Sequence, residues 1–207
     1  MQAHDLLWLH PGTWADGVPL PDWAEPDWPV VVRRAPRAGR GLIPVGLRGR
    51  HRNQRHAAWV APAQVIHCRT PEALANERGW TRRPGGSFAC LDSLARIAPL
   101  LEQAGLAWGP AGAVGFALAC GATVLHPASD LDLLLRTERP LDGNEIALLK
   151  SLKAHASCRL DIQVDTGHGG FALDEWLSGR RTVLLKTPHG PRLVSDPWQA
   201  QTDEDRS

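Results

Sequence analysis

The sequence is that of an α/β (α+β) protein, with a small strand-rich N-terminal domain followed by a domain in which strands and helices alternate around a mixed sheet. Three observations predict this. Residues 1–80 carry short apolar runs separated by Pro, Gly and Arg clusters, the punctuation of strands and turns. From Ala89 onward, helical and period-two patterns take turns, as expected of a sheet covered by helices. Between them lies TRRPGGS, Thr81 to Ser87, whose turn formers and charges give a core almost nothing to use.

The strands expected in the first domain are Leu6 to Leu9, Val30 to Arg33, Leu42 to Leu47 and Ala57 to Val60. In the second, Ala89 to Ala104 places Leu91, Leu94, Ile97, Ala98 and Leu101 on one side at helical spacing, and Gly105 is a suitable stop. A short apolar run, Ala113 to Cys120, has Gly at both edges. Asp130 to Arg136, DLDLLLR, is an alternating strand that becomes continuously apolar. Asp142 to Ala156 is expected to be a helix, with Asp142 as N-cap and Glu145 three residues on, the spacing of a capping box. A second alternating strand, CRLDIQVD, follows, then a short helix around Leu173 to Ser178 and a strand from Thr182 to Lys186. The expected division is therefore 1–80, a basic strand-rich domain; 81–87, a linker; 88–200, the sheet-and-helix domain; and 201–207, a disordered tail.

Composition narrows the function. The four cysteines, Cys68, Cys90, Cys120 and Cys158, are far apart and form neither a zinc knuckle nor a disulfide framework, so reduced, cytoplasmic thiols are expected. No segment approaches the roughly 20 apolar residues that span a bilayer, and the N-terminus lacks the pattern of an export signal. Net charge is near neutral, yet no Asp or Glu occurs between Val30 and Pro71, a stretch that holds Arg48, Arg50, Arg52 and Arg55 among other arginines. Such a block suits a polyanionic partner, although a solvated basic face would look the same. The histidines show no ligand spacing, and the nine tryptophans are best read as packing residues, with Trp59 or Trp108 available to an adenine ring.

The chemistry points to Asp130 and Asp132. Two apart on a strand, they project from one face, while Leu131 and Leu133 point into the core. Mg²⁺, or Mn²⁺ in its place, takes one or two carboxylates and completes its shell with water and phosphate oxygens. Asp161, on the second alternating strand, offers a third acid if the strands are neighbours; Asp165, on the same strand face, competes for that role. Upstream, Gly112 and Ala113 open a short helix whose backbone N–H groups suit a phosphate. A lone D-x-D is better explained by solvated acids at a strand end, and context has to carry the catalytic reading. Lys186, ending an apolar strand, is a candidate to approach a phosphate, as are Arg181 and Arg136, although each taken singly is better explained as a solvated strand end.

The turn at Gly112-Ala113 followed eighteen residues later by Ser129-Asp130-Leu131-Asp132 resembles the nucleotidyltransferase superfamily, with Ala113 where that superfamily carries serine. A hydroxyl bonded to a charged phosphate is worth about 1.5–3 kcal/mol, so its absence weakens phosphate binding but leaves the backbone donors intact. The phrases PVVVRR (Pro29 to Arg34), IPVGLRGRHRNQRHAAWV (Ile43 to Val60), GFALACGATVLHPASDLDLLLR (Gly115 to Arg136), CRLDIQVDT (Cys158 to Thr166), GGFALDEWL (Gly169 to Leu177) and LLKTPHGPRL (Leu184 to Leu193) are similar to the malonate decarboxylase holo-acyl-carrier-protein synthase family, also called phosphoribosyl-dephospho-CoA transferase.

That resemblance implies a nucleotidyltransferase-like catalytic domain. It also implies transfer of phosphoribosyl-dephospho-CoA from 2'-(5''-triphosphoribosyl)-3'-dephospho-CoA to a serine of the acyl carrier subunit of malonate decarboxylase, with release of pyrophosphate. Asp130, Asp132 and Asp161 would be the catalytic, metal-holding acids, and Gly112, Ala113, Ser129, Arg48, Arg50, Arg52, Arg55 and Lys186 would meet substrate. Two rivals stand beside it: a nucleotidyltransferase with another acceptor, and a binding module that lost activity with the serine. The lack of an aromatic recognition motif argues against nucleic acid as a partner.

Overall fold

In the computed structural model, which describes residues 1–14, 20–36, 41–82 and 88–199, two sheets enclose a short helix between them. The first sheet is antiparallel throughout: β1 (Leu6–Leu9), β2 (Val30–Val32), β3 (Ile43–Arg48), β4 (Arg55–Val60) and β5 (Val65–Arg69), in the order β4-β3-β2-β1-β5. Alternation gives it two apolar faces. Leu7, Val30, Val32, Val45 and Val60 pack beneath Trp14, Leu20 and Trp23, while Leu6 and Val31 point the other way.

The chain then leaves this sheet through α1 (Pro71–Glu77). Thr70 caps it by accepting from the Ala73 N–H at 3.1 Å, and Pro71 occupies the first turn, where its missing N–H costs nothing. The helix lies against the second sheet so closely that a side chain on Gly109 would collide with the Pro71 carbonyl. A 3₁₀ turn, Gly79–Arg82, follows, and its Trp80 joins the second sheet's core. Thr81 and Arg82 of the expected linker thus belong to this turn; the remainder of the linker and the expected tail lie outside the described residues.

The second sheet runs β11-β10-β9-β8-β7-β6, where β6 is Ala107–Pro110, β7 Leu131–Arg136, β8 Leu160–Asp165, β9 Gly170–Ala172, β10 Val183–Thr187 and β11 Gly190–Val194. Only β7 and β8 are parallel, so a crossover joins them: α4 (Gly143–Ser151) and a 3₁₀ turn, Leu152–His155. The expected capping box is present, Asp142 accepting from the Asn144 and Glu145 N–H groups and Glu145 accepting from the Asp142 N–H at 2.8 Å. Leu131, Leu133, Leu135, Leu160, Ile162 and Val164 form one face and pack in a single core with Leu91, Leu94, Ile97 and Leu101 of α2 (Ala89–Gln103) and Leu149 of α4. The remaining helix, α5 (Leu173–Leu177), follows β9 without a break.

The helix between the sheets is α3 (Gly112–Cys120), GAVGFALAC, apolar on every side and therefore soluble only if covered on every side. Val114 enters the second sheet's core, and Phe116, Ala117 and Ala119 pack with Leu6 and Leu74 under the first sheet. Two polar clamps reinforce this junction. Arg34 donates to Asp165 at 2.9 Å. Arg136 donates to both Glu72 oxygens, at 2.8 and 2.7 Å, and to the Ala3 carbonyl and Asp5 at 2.9 and 3.0 Å. Arg136 is thus spent on structure rather than held ready for a phosphate.

Arg136→Ala would strand the Asp5 carboxylate, 4% exposed, without its cation. Such a loss costs about 3–5 kcal/mol. Urea denaturation is expected to show a midpoint lowered accordingly, whereas Arg50→Ala, which removes an exposed pair with Glu25 and a contact over Trp28, leaves it within about 1 kcal/mol of the parent.

Candidate active site

The carboxylates sit on the sheet face opposite the leucine core. Parallel pairing of β7 with β8 sets Leu131 beside Leu160 and Arg136 beside Asp165, and so places Asp132 directly beside Asp161. Asp130 precedes β7 by one residue and is half-buried, and its charge is felt at Asp132. The Asp132 carboxyl is raised above the usual carboxylate range, by burial first and then by the charges of Asp161 and Asp130, against the opposing pull of Arg48 and Arg52. Its carboxylate accepts no hydrogen bond and makes no ion pair among the described residues.

Asp161 and Asp165 differ in what each touches. Asp165 accepts from Arg34 at 2.9 Å and from the Gly167 N–H at 3.1 Å, and stands four residues along β8, about 13 Å at strand rise. Asp161 has, among the described residues, only Arg159, at 3.2 Å, and both side chains of that pair are more than a third exposed. No three His, Cys, Asp or Glu side chains among the described residues converge closely enough to hold a metal ion in this conformation. Crowded like charges with one desolvated member are nonetheless a donor set that suits a hard cation, because only an added positive charge relieves their repulsion.

The turn before α3 is built around Asp132. The Ala111 N–H donates to the Asp132 backbone carbonyl at 2.9 Å, and Gly112 has φ +55°, a left-handed conformation. A side chain there would fall inside the Asp132 carboxylate, so glycine is required twice over. No side chain caps the helix, which leaves the N–H groups of its first turn facing outward beside the acids. Ala113, half-buried, occupies the second position of that turn.

Two cavities meet here. One, of about 430 Å³, is lined by Asp132, Asp161, Gln163, Arg159 and Lys186. The other, of about 480 Å³, lies between α3 and the first sheet and is lined by Leu6, Leu47, Arg48, Arg55, Leu74 and Phe116. They share His4, Ala111 and Gly112. Arg48 is brought down to about 10 by burial and then by Arg55, lies over the Phe116 ring at 5.3 Å, and keeps a buried Nε with no hydrogen-bond partner.

Of the expected residues, Asp132, Asp161, Gly112, Arg48, Arg55 and Lys186 line these cavities, Ala113 follows Gly112 in the turn, and Asp130 and Arg52 act on Asp132 through their charges. Arg50 lines neither cavity, and instead pairs with Glu25 at 2.9 Å and lies over Trp28. Ser129 is buried and accepts from the His126 N–H at 2.9 Å, which assigns it to holding the loop ahead of β7. Trp108 is buried against Trp80 and Trp59 lines neither cavity. The residue that sequence reading missed is His4. It carries φ 75° at the junction of the cavities, and burial, then Arg34, push its imidazole down to about 4. No local motif announces it.

Comparison with known proteins now decides the family. Residues 2–71 match the model of the phosphoribosyl-dephospho-CoA transferase MdcG N-terminal domain and residues 80–197 that of the C-terminal domain. The chain belongs to the phosphoribosyl-dephospho-CoA transferase family. Proteins of that name from Pseudomonas putida (strain GB-1), Azotobacter vinelandii and Klebsiella pneumoniae (strain 342) are 46%, 46% and 41% identical to it. The alignments cover 97%, 96% and 97% of this chain and 96%, 94% and 97% of theirs. No solved structure matches. Like the rest of this transferase family, the chain is an enzyme, and among its described residues no helix is long and apolar enough to cross a membrane.

Two measurements test the site. Gly112→Ala is expected to lose transferase activity and to lower stability, because it sets a methyl against Asp132 on a left-handed backbone; full activity would put the turn elsewhere. For His4, the folded pKa of about 4 lies below the ordinary 6.5, so the unfolded chain binds the extra proton. Stability is then complete above pH 6.5 and declines as pH falls toward 4, by at most on the order of 3 kcal/mol. In His4→Asn, whose side chain tolerates positive φ, urea midpoints at pH 7 and 4.5 should lie closer together than in the parent.

Proposed function

We propose that this enzyme transfers the phosphoribosyl-dephospho-CoA group of 2'-(5''-triphosphoribosyl)-3'-dephospho-CoA to a serine of the acyl carrier subunit of malonate decarboxylase, with release of pyrophosphate, in the manner of a nucleotidyltransferase. The relatives' shared name supports the transferred group. The observation that carries the mechanism is the register of β7 and β8, which sets Asp132 beside Asp161 in front of the uncapped turn at Gly112.

The serine hydroxyl attacks the phosphorus nearest the ribose; its bond to that phosphorus forms as the bond to pyrophosphate breaks in line behind it. Asp161 accepts the serine proton. The Gly112 and Ala113 N–H groups, at the positive end of α3, hold a phosphate oxygen, and Arg48, Arg52, Arg55 and Lys186 surround the remaining negative charge. Asp130 and Asp132 would hold Mg²⁺ or Mn²⁺, which supplies charge neutralisation to phosphate oxygens when bound. Replacing serine by Ala113 leaves the backbone donors to do this holding alone.

Mass spectrometry of the carrier subunit after incubation with enzyme, Mg²⁺ and donor should show one added phosphoribosyl-dephospho-CoA, and an equal amount of pyrophosphate should be released. Asp130→Asn, Asp132→Asn and Asp161→Asn are each expected to lower turnover by about a hundredfold or more. Asp165→Asn should lower stability while keeping the parent's metal dependence. A carrier left unmodified by the parent enzyme refutes the acceptor, and full turnover in Asp132→Asn refutes the site. Ala113→Ser should equal or exceed the parent's rate, because it adds a donor where the turn faces phosphate.

A further inference from the structure

We propose that the cavity between α3 and the first sheet is the subsite for the purine nucleoside of the donor, an inference that rests on the donor assigned above and identifies which end of it this chain recognises. Three features point to a flat, ring-shaped occupant. Most of the exposed wall is apolar, formed by Leu6, Leu47, Leu74 and Phe116, which suits the face of a base, while Arg33, Arg48 and Arg55, which also line the cavity, suit the phosphates that adjoin the nucleoside. The Arg48 guanidinium lies over Phe116 at 5.3 Å, which presents a planar, polarisable surface of the kind on which bases stack. Its Nε is buried without an acceptor, so an occupant bearing a ring nitrogen or ribose oxygen would supply the missing hydrogen bond.

Position selects the nucleoside over the pantetheine arm. The cavity opens at His4, Ala111 and Gly112 onto the one that holds Asp132 and Asp161, so its occupant lies next to the reacting phosphate. In the donor, the triphosphate-bearing ribose is bonded to the 2' oxygen of adenosine, so the adenine is one sugar further on. The pantetheine arm is separated from the reacting phosphorus by both sugars and a diphosphate. It would project outward, past the exposed Arg55 at the rim.

Ala57 tests this directly, because it is exposed, lines the cavity and faces Gly46 across the β3–β4 pair, so a larger side chain there occupies the cavity without entering a core. By isothermal titration calorimetry of the full chain, adenosine and 3'-dephospho-CoA should compete for one site, and 4'-phosphopantetheine should not displace adenosine. In Ala57→Leu the affinity for 3'-dephospho-CoA is expected to fall at least tenfold, while inorganic triphosphate binds as it does to the parent. Displacement of adenosine by 4'-phosphopantetheine, or no binding of adenosine to the parent protein, overturns the proposal without recourse to any variant. Unchanged 3'-dephospho-CoA affinity in Ala57→Leu also overturns it, whereas carrier modification by the parent would still uphold the transferase reading. Conversely, adenosine binding that Ala57→Leu abolishes upholds the subsite even if the carrier proves not to be the acceptor.

Discussion

Asp132 is held half-buried with acids on either side, and much of the molecule near it is arranged around that charge. A carboxylate so placed is costly to ionise, and no direct ion pair relieves it among the described residues. Relief comes at longer range from Arg48 and Arg52, carried on the β3–β4 hairpin of the other sheet. Arg48 is itself partly desolvated and crowded by Arg55. Excess negative charge on one wall and excess positive charge on the other, neither neutralised locally, leave the cleft suited to a ligand that carries phosphates and brings a cation with it.

The remaining charges near the junction are spent in place. Arg34 closes on Asp165, and Arg136 closes on Asp5 and Glu72. These pairs draw their members from segments far apart in the chain and fix the first sheet against the second, so that the hairpin arginines face β7. Their value is in orientation as much as in stability, since a buried ion pair returns little net free energy compared with apolar packing but tolerates few other arrangements.

The sequence revealed most where the signal was local. The strand DLDLLLR, the helix beginning at Ala89 and the capping box at Asp142 follow from periodicity and spacing, and the structure places them as expected. β5, β6, β9 and β11 were missed because they are short, mostly at sheet edges, and in three cases interrupted or begun by Gly or Pro, where alternation has no room to show. The arginine block was legible as a stretch without acids. Its division into Arg48 and Arg55 lining the cleft and Arg50 on Glu25 was not, because the partner lies 25 residues upstream. His4 was invisible for the same reason: its importance comes from Arg34, Arg136, Asp165 and Lys186, brought around it only by the fold.

The helix α3 has a consequence for how the molecule comes apart. The family describes two domains, yet one nine-residue helix contributes Val114 to the core of the second sheet and Phe116 to a separate cluster with Leu6 of the first. Neither sheet can open without uncovering an apolar surface that the other also relies on. Parting the two walls of the cleft therefore carries the free-energy cost of exposing that shared apolar surface, which opposes sub-global opening at this junction.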